Sequence, residues 1–195
     1  MQRRGGATAE SKIGAKGCKQ GEEERRAICG LSCASHSALR WAGMLHVVLV
    51  EPEIPPNTGN IGRLCLATDS HLHLIKPLGF SINDRELKRA GLDYWKEVRV
   101  TVWESLAELR AAQPTGARYF YLTTKGQRAY WDARFQDGDF LVFGRETKGL
   151  PEPLLEANRE HLLTIPMTPQ TRSLNLATAV GIVLFEAVRQ GKSEG

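Results

Sequence analysis

From about residue 44 onward the chain alternates short apolar runs with segments of helical periodicity. Apolar, β-branched runs that end at Pro or Gly are typical of buried strands, and apolar residues three or four positions apart indicate helices. Strands are predicted at residues 45–50, 71–75, 98–102, 118–123, 140–143 and 162–165. Helices are predicted at residues 60–68, 83–90, 105–112, 153–157 and 175–190. This alternation predicts an α/β fold with a mainly parallel sheet and flanking helices.

The predicted helices each carry their apolar residues on one side. The first has Ile61, Leu64, Cys65 and Thr68 at inward positions, and the last has Leu176, Val180, Val183, Leu184 and Ala187. The wide apolar face of the last helix suits either the core or a dimer interface. In parallel α/β sheets ligands bind beyond the carboxyl ends of the strands, so the segments that follow strands are where chemistry is expected.

The first 43 residues differ from the rest of the chain. They carry eight Lys or Arg and four Glu, which account for the whole net charge of +4, and residues 44–195 hold 18 basic and 18 acidic residues. Their Gly-, Ala- and Ser-rich composition without an apolar period is typical of disorder. The acidic run Glu22 to Glu24 disfavours an organelle transit peptide. We expect residues 1–43 to be a disordered basic extension, Met44 to be the native start, and residues 44–195 to form the folded domain.

Composition excludes several classes of protein. A content of 42% hydrophobic and 25% charged residues is ordinary for a globular chain. No run approaches the roughly 18 apolar residues of a membrane span, which excludes an integral membrane protein. Four cysteines are too few and too irregularly spaced for a disulfide scaffold. We expect a cytoplasmic protein. His46, His71, His73 and His161 lack the spacing of metal ligands, so we expect these histidines to be structural and the protein to have no metal.

Three polar segments follow predicted strands and so can converge at one edge of the sheet. They are residues 55–63 (PPNTGNIGR), 143–151 (FGRETKGLP) and 165–177 (IPMTPQTRSLNLA). Glycines let the backbone approach a ligand closely, and Asn and Arg side chains suit an anionic one. Each segment alone also fits a structural role: a capped turn, a charged surface turn, and a helix N-cap at Ser173 or Asn175.

Together these segments resemble the three motifs of the SPOUT superfamily of knotted methyltransferases, in the same order and spacing. The resemblance is strongest to the ribose 2′-O branch, in particular to TrmL-like tRNA wobble-nucleotide methyltransferases. It is carried by the motifs NTGNIGRLC, FGRETKGLP and IPM…RSLNLATAV. EPEIPPN and RAGLDYW match as well, and the resemblance covers about residues 44–190. It implies a SPOUT (alpha/beta knot) fold with a deep C-terminal trefoil knot and S-adenosyl-L-methionine as the methyl donor, with no metal.

The resemblance also assigns residues to a site. The implied cofactor pocket consists of Leu122, Gly144, Ile165, Met167, Ser173 and Leu174, and the implied catalytic residues are Arg63, Asn57, Glu146, Ser173 and Asn175. The branch has been discussed with Arg63 as its general base. Because a guanidinium rarely gives up its proton, clamping a phosphate or orienting the transition state fits Arg63 better. Glu146 could hold Arg63, hold a loop amide, or form a simple ion pair.

The implied reaction is 2′-O-methylation of the wobble cytidine or uridine in tRNA anticodon loops, by a homodimer in which one subunit completes the other's site. A neutral domain is unusual for an RNA partner, because phosphate neutralisation usually dominates affinity. Basic clusters that could contact RNA are Arg85/Lys88/Arg89, Lys125/Arg128 and Arg145/Lys148. The alternatives are methylation of another tRNA or rRNA position, a non-catalytic RNA-binding protein of the same fold, and a nucleotide-binding α/β protein unrelated to methylation.

Overall fold

The computed structural model describes residues 44–81 and 93–192, and within them seven parallel strands form one sheet. The strands are β1 His46–Val50, β2 His71–Ile75, β3 Val100–Trp103, β4 Tyr119–Leu122, β5 Arg128–Ala129, β6 Phe140–Phe143 and β7 Leu162–Thr164. Their order across the sheet is β3-β2-β1-β6-β4-β7-β5. The predicted α/β fold and its six strands are confirmed, whereas the two-residue β5 is too short to show a period in the sequence.

Four α-helices and three 3₁₀ turns join the strands in the described residues. The helices are α1 Pro55–Ala67, α2 Leu106–Ala111, α3 Glu152–Glu156 and α4 Leu176–Lys192, and the 3₁₀ turns are Asp93–Glu97, Tyr130–Asp132 and Arg159–His161. No helix in this part of the chain is long and apolar enough to cross a membrane. The predicted helix at residues 83–90 and the extension at residues 1–43 lie outside the described residues, and the trefoil knot stays a prediction.

Helix α1 begins five residues before its predicted start, and the prediction of a loop at residues 55–63 is wrong. The Pro-Pro pair suggested a turn, but Pro55 and Pro56 occupy the first helical positions. A proline there loses no helical hydrogen bond and already has a suitable φ angle. As a consequence, Asn57 and Arg63 stand on a helix rather than in a loop.

Strand β1 lies near the middle of the sheet, between β2 and β6, and its side chains alternate between two apolar cores. Val47 and Leu49 face α1 and α4, where they meet Ile61, Cys65, Val183 and Leu184. Val48 and Val50 face the other side, where they meet Leu109 of α2 and Leu155 of α3. Burial on both faces is the reason that parallel strands read as continuous apolar runs. The inward positions predicted on the last helix are buried from Val180 to Ala187, so this face of α4 belongs to the core.

Candidate functional site

A cleft of about 530 Å³ lies beyond the carboxyl ends of β4, β6 and β7. All six residues assigned to the cofactor pocket line it: Leu122, Gly144, Ile165, Met167, Ser173 and Leu174. Four of the five residues assigned as catalytic line it too: Asn57, Glu146, Ser173 and Asn175. Arg63 does not line this cleft. Segments far apart in sequence therefore converge where the sheet topology predicts, with one exception.

Glu146 joins two segments by hydrogen bonds: residues 51–57, which follow β1, and residues 144–150, which follow β6. Its carboxylate accepts hydrogen bonds from the backbone N–H of Glu53 at 2.9 Å, the backbone N–H of Ile54 at 3.2 Å and the Asn57 amide at 3.1 Å. No ion pair joins Glu146 to Arg63 within the described residues. Of the three roles open to Glu146 in the sequence, the structure shows the holding of loop amides.

Two further contacts between the same segments were not predicted from the sequence. The Thr147 hydroxyl and backbone N–H donate to the Glu53 carboxylate at 2.8 and 3.2 Å, and Arg145 forms an ion pair with Glu51. Glu51 has a φ of +53°, which is uncommon for a residue other than glycine and marks a constrained strand end. The sequence does not reveal these pairs, because nothing in it shows that the two segments meet. Once they are known to meet, acidic residues at 51 and 53 are seen to face basic or polar residues at 145 and 147.

Asn57 connects these segments to the one after β7. Its side-chain oxygen accepts a hydrogen bond from the Asn175 amide at 2.9 Å. The Asn175 oxygen in turn accepts from the backbone N–H groups of Ala177 at 2.9 Å and Thr178 at 3.4 Å, which confirms the predicted N-cap of α4. Asn57 is only 6% exposed, so its amide is oriented by Glu146 on one side and Asn175 on the other.

Gly144 and Gly149 close the segment after β6 in two different ways. A Cβ atom at Gly144 would lie 2.1 Å from the carbonyl carbon of Gly149 and 2.2 Å from the nitrogen of Leu150. Gly149 has a φ of +68°, a backbone conformation that favours glycine, and open space where a Cβ would stand. The expectation that glycines let the backbone pass close to another group holds for Gly144 alone, where the two ends of this segment meet, whereas Gly149 is explained by its backbone conformation.

The comparisons with known proteins agree with this geometry. The profile of the SpoU rRNA Methylase family matches residues 44–185. The chain belongs to the SpoU methylase family. This result and the relatives below confirm the resemblance drawn from the three motifs.

Three similar proteins illustrate the range of this SpoU methylase's relatives. A tRNA (cytidine(34)-2'-O)-methyltransferase of Escherichia coli (strain K12) is 52% identical over 149 residues, which cover 75% of this chain and 94% of the relative. A solved structure described as giving structural insights into the 2-OH methylation of C/U34 on tRNA is 48% identical, with a TM-score of 0.73 and coverage of 77% and 98%. An AdoMet-bound rRNA methyltransferase from Sinorhizobium meliloti is 27% identical, with a TM-score of 0.66 and coverage of 75% and 56%.

In this SpoU methylase, Arg63 is exposed on α1 and is not among the residues that line the cleft. Its guanidinium lies over the ring of Tyr94, 4.5 Å from the centroid, and the Tyr94 hydroxyl donates to the Gly59 carbonyl at 2.8 Å. Trp95 packs so closely on Gly62 that a Cβ there would lie 2.6 Å from its ring. The aromatic pair of the RAGLDYW segment therefore supports the helical face that presents Arg63, a role the sequence did not reveal.

The predicted basic clusters do not all lie together. Lys125, Arg145 and Lys148 line the cleft beyond the carboxyl ends of β4, β6 and β7, together with Arg172. Arg128 lines a different cleft. Lys125 is paired with Glu152 and Arg145 with Glu51, so part of this positive charge is already balanced. The cluster Arg85/Lys88/Arg89 lies outside the described residues.

Three histidines of two neighbouring strands, His46 of β1 and His71 and His73 of β2, lie close together. The parallel register places His46 opposite His71, and the ring nitrogens of His46, His71 and His73 lie within 4.8 Å of one another. Such a group could hold a metal ion. However, Trp103 Nε1–H donates to His73 Nδ1 at 3.0 Å, which places the His73 proton on Nε2. That proton points to His46 Nδ1 at 2.9 Å, so the described geometry is that of a hydrogen-bonded cluster.

Burial keeps this cluster neutral. Desolvation, with a smaller effect of the neighbouring rings, lowers the pKa of His46 to about 4 and the pKa of His73 to about 3. His71 donates to or accepts from the Thr101 hydroxyl at 2.9 Å, and burial also lowers its pKa. The predicted structural role of these three histidines fits this geometry, and the absence of a metal stays a prediction.

Proposed function

We propose that the chain transfers a methyl group from S-adenosyl-L-methionine to the ribose 2′-hydroxyl of the wobble nucleotide, a cytidine or uridine, in tRNA anticodon loops. One observation carries the proposal: every residue assigned to the cofactor pocket lines one cleft, together with all assigned catalytic residues but Arg63. Support also comes from relatives about 50% identical over three quarters of the chain that are named tRNA (cytidine(34)-2'-O)-methyltransferases. We expect the reaction to take place in the cytoplasm.

The cleft suits the methyl donor in size and character. Its volume of about 530 Å³ falls within the usual range of small-molecule sites. Leu122, Phe143, Ile165 and Leu174 provide apolar walls for a purine ring, and the loop backbone provides polar groups for its edges. When bound, the donor supplies a methyl group on a sulfonium, which is electrophilic without a metal.

Within this proposal, the side chains around the cleft divide into those that hold it together and those left for the substrate. The Glu146 carboxylate already accepts three hydrogen bonds from the segment after β1. We assign Glu146 and Asn57 as positioning residues that fix the segment after β1. The Ser173 hydroxyl is exposed at the cleft and has no hydrogen-bond partner within residues 44–81 and 93–192. It is therefore available to the ribose or to the donor.

We also propose that Arg63 acts in a homodimer, in which it completes the partner's cleft. Arg63 is exposed, held over Tyr94, and absent from the lining of its own cleft. On α4, which packs against α1, Phe185 is 48% exposed and provides an apolar position for contact with a second copy. A guanidinium delivered in this way would clamp an RNA phosphate and orient the ribose.

The experiment that tests the reaction is a mass-spectrometric comparison of nucleosides. Purified protein is incubated with unmethylated tRNA and the methyl donor, and total tRNA is compared from cells with and without the gene. We expect 2′-O-methylcytidine or 2′-O-methyluridine at the wobble position in the first case and its loss in cells lacking the gene. Methylation at another tRNA position or in rRNA would overturn the wobble assignment, and methylation of neither RNA would overturn the enzyme class.

Arg63→Ala tests the role of the arginine. We expect this variant to bind the methyl donor as the wild type does, because Arg63 is outside the cleft, and to lose transfer by a factor of at least about 100. Co-expression with a Gly144→Ala chain should restore part of the activity, since a mixed dimer holds one cleft with an intact pocket and an intact arginine. Near-wild-type turnover of Arg63→Ala, or a monomer in sedimentation experiments that is fully active, would contradict the proposal.

A further inference from the structure

A second cleft, of about 1040 Å³, opens at the opposite end of β4 from the methyl-transfer site. Tyr119 at the amino end of β4 lines this second cleft, whereas Leu122 at the carboxyl end lines the cleft proposed for the methyl donor. Four arginines line the second cleft: Arg110, Arg118, Arg128 and Arg134. We call it the arginine cleft. Nothing in the proposed transfer reaction uses these residues.

Positive charge is concentrated in the arginine cleft although the domain as a whole is neutral. Residues 44–195 carry equal numbers of basic and acidic side chains. The arginine cleft, however, has four guanidiniums in its lining and a single carboxylate, that of Asp132. Arg118 is paired with the buried Asp139 at 2.9 Å, so its charge is balanced. Three guanidiniums still face one carboxylate, which makes this concave surface suited to an anion.

Two of the arginines are held in place by aromatic rings and hydrogen bonds. Arg110 lies over the ring of Tyr119, 5.1 Å from the centroid, and donates to the Asn158 side-chain oxygen at 3.0 Å and to the Tyr121 hydroxyl. Arg118 lies over the ring of Phe120 at 5.2 Å. Guanidiniums that are already ordered lose less side-chain entropy on binding.

The other two arginines have fewer partners. Arg128 and Arg134 are both exposed. Arg128 donates to the Asp132 carbonyl, which occupies one part of its guanidinium. The Arg134 side chain has no hydrogen-bond or ion-pair partner among residues 44–81 and 93–192. Guanidiniums without a paired carboxylate commonly bind phosphates through two parallel hydrogen bonds.

We propose that the arginine cleft binds the phosphodiester backbone of the RNA substrate at a place separate from the methylated nucleotide. This inference rests on the proposed function for the identity of the RNA. The cleft is open and larger than one phosphate requires, and its guanidiniums come from separate elements, as a run of successive phosphates would need. Only about 10 Å of β4 separates Tyr119 from Leu122, so one RNA can span both clefts. The arginine cleft also resolves how a neutral domain holds a polyanion.

The test measures tRNA affinity and the steady-state parameters of Arg128→Glu/Arg134→Glu. We expect the tRNA Kd and KM to rise at least about tenfold and kcat to stay within about twofold, because the reacting groups are untouched. The slope of log Kd against log salt should fall by about one unit for each phosphate that the variant no longer neutralises. The neutral pair Arg128→Gln/Arg134→Gln should show a smaller rise in the same direction. Melting temperatures and methyl-donor affinity serve as checks of folding.

A matched control is a single charge reversal at the other edge of the sheet. Arg99 is exposed next to β3, where it forms a surface ion pair with Asp69 at 3.3 Å and donates to the Met44 sulfur at 3.7 Å. Arg134→Glu should weaken tRNA binding at least about threefold, whereas Arg99→Glu should leave it within about 1.5-fold. Equal effects of the two reversals would overturn the proposal, because they would show a response to net charge alone.

The remaining outcomes separate this inference from the proposed function. Wild-type protein that binds tRNA through Arg128 and Arg134 but methylates no RNA would refute the proposed reaction and support the arginine cleft. Wild-type protein that methylates tRNA while the double reversal keeps its Kd and KM would overturn the arginine cleft alone. A rise in melting temperature with inorganic phosphate that needs Arg128 and Arg134, without any change in tRNA affinity, would also overturn it in favour of a small-anion site.

Discussion

The two glycines of the segment after β6 should respond differently to the same substitution. At Gly149 the strain comes from the positive φ angle, and the added methyl group of Gly149→Ala would meet open space. At Gly144 the added methyl group would lie 2.1 to 2.4 Å from backbone atoms of Gly149 and Leu150. Backbone atoms cannot move aside as a flexible side chain can, so the segment itself would have to open.

The cost of Gly144→Ala follows from what must be displaced. Overpacking at a tight contact costs about 1–3 kcal/mol. Opening the segment also breaks the hydrogen bonds from Arg145 N–H to the Gly149 carbonyl at 3.2 Å and from Gly149 N–H to the Arg145 carbonyl at 2.9 Å. Each of these is worth about 1 kcal/mol, which gives a total of about 3–5 kcal/mol. Gly149→Ala should cost only about 1–2 kcal/mol, the penalty of a left-handed conformation.

Equilibrium urea unfolding of both variants measures this difference, and calorimetric titration with the methyl donor measures its effect on the cleft. We expect Gly144→Ala to lose at least about 3 kcal/mol of unfolding free energy and most of its donor affinity, because Gly144 lines the cleft. Gly149→Ala should keep measurable donor binding. An unfolding free energy for Gly144→Ala that equals or exceeds that of Gly149→Ala would refute the reasoning from backbone contact.

Three further predictions follow from burial and hydrogen bonding. Glu146→Ala leaves three N–H groups without their hydrogen-bond acceptor, so it should lower the free energy of urea unfolding by about 2–3 kcal/mol. It should also weaken binding of the methyl donor at least about tenfold. Glu156→Ala, at an exposed position, is the control and should change neither quantity. Burial lowers the pKa of His73 to about 3, below the unfolded value of about 6.5, so its contribution to stability is complete above pH 6.5 and is lost as the pH falls. The unfolding free energy should drop by about 2 kcal/mol from this group between pH 8 and pH 5, and an identical pH dependence in His73→Asn would contradict the assignment. Burial raises the pKa of the Cys65 thiol to about 12, so iodoacetamide at pH 8 should leave Cys65 unlabelled in peptide maps of the folded protein, and labelling as fast as a free thiol would argue against that burial.

The sequence predicted the strands well because burial on both faces leaves a continuous apolar run. Residues 71–75 and 140–143 were predicted with the bounds that the structure has. The start of α1 was predicted wrongly because Pro55 and Pro56 fit both a turn and a first helical turn, and the tertiary contacts that bury Asn57, Thr58 and Gly59 are not visible in the sequence. Local pattern therefore determines where buried strands run but leaves a proline-rich boundary open.

The parts of the candidate site that lie in sequence motifs could be predicted. The contacts that depend on how distant strands and segments pair could not. The residues assigned by resemblance converge on one cleft, but the partners of Glu146 are backbone groups, which a sequence does not display. The histidine cluster depends on the pairing of His46 with His71 across two strands, 25 residues apart in the chain. The arginine cleft draws single residues from several separate elements, and no spacing rule links them.

The order in which the chain is made has a consequence for β1. This strand emerges first, yet it lies between β2 and β6, and Glu53 beside it meets Glu146 only 93 residues later. Asn175, the hydrogen-bond partner of Asn57, is synthesised 118 residues later, which at ribosomal rates of 5–20 residues per second takes roughly 6–24 s. One edge of β1 is an unpaired apolar strand until β6 is made, since Phe140 follows its partner His46 by 94 residues, and an open edge of this kind recruits other chains. The cleft that Asn57 and Asn175 both line is therefore completed only after Asn175 has left the ribosome, and we expect chaperones that shield open strand edges to raise the yield of folded protein.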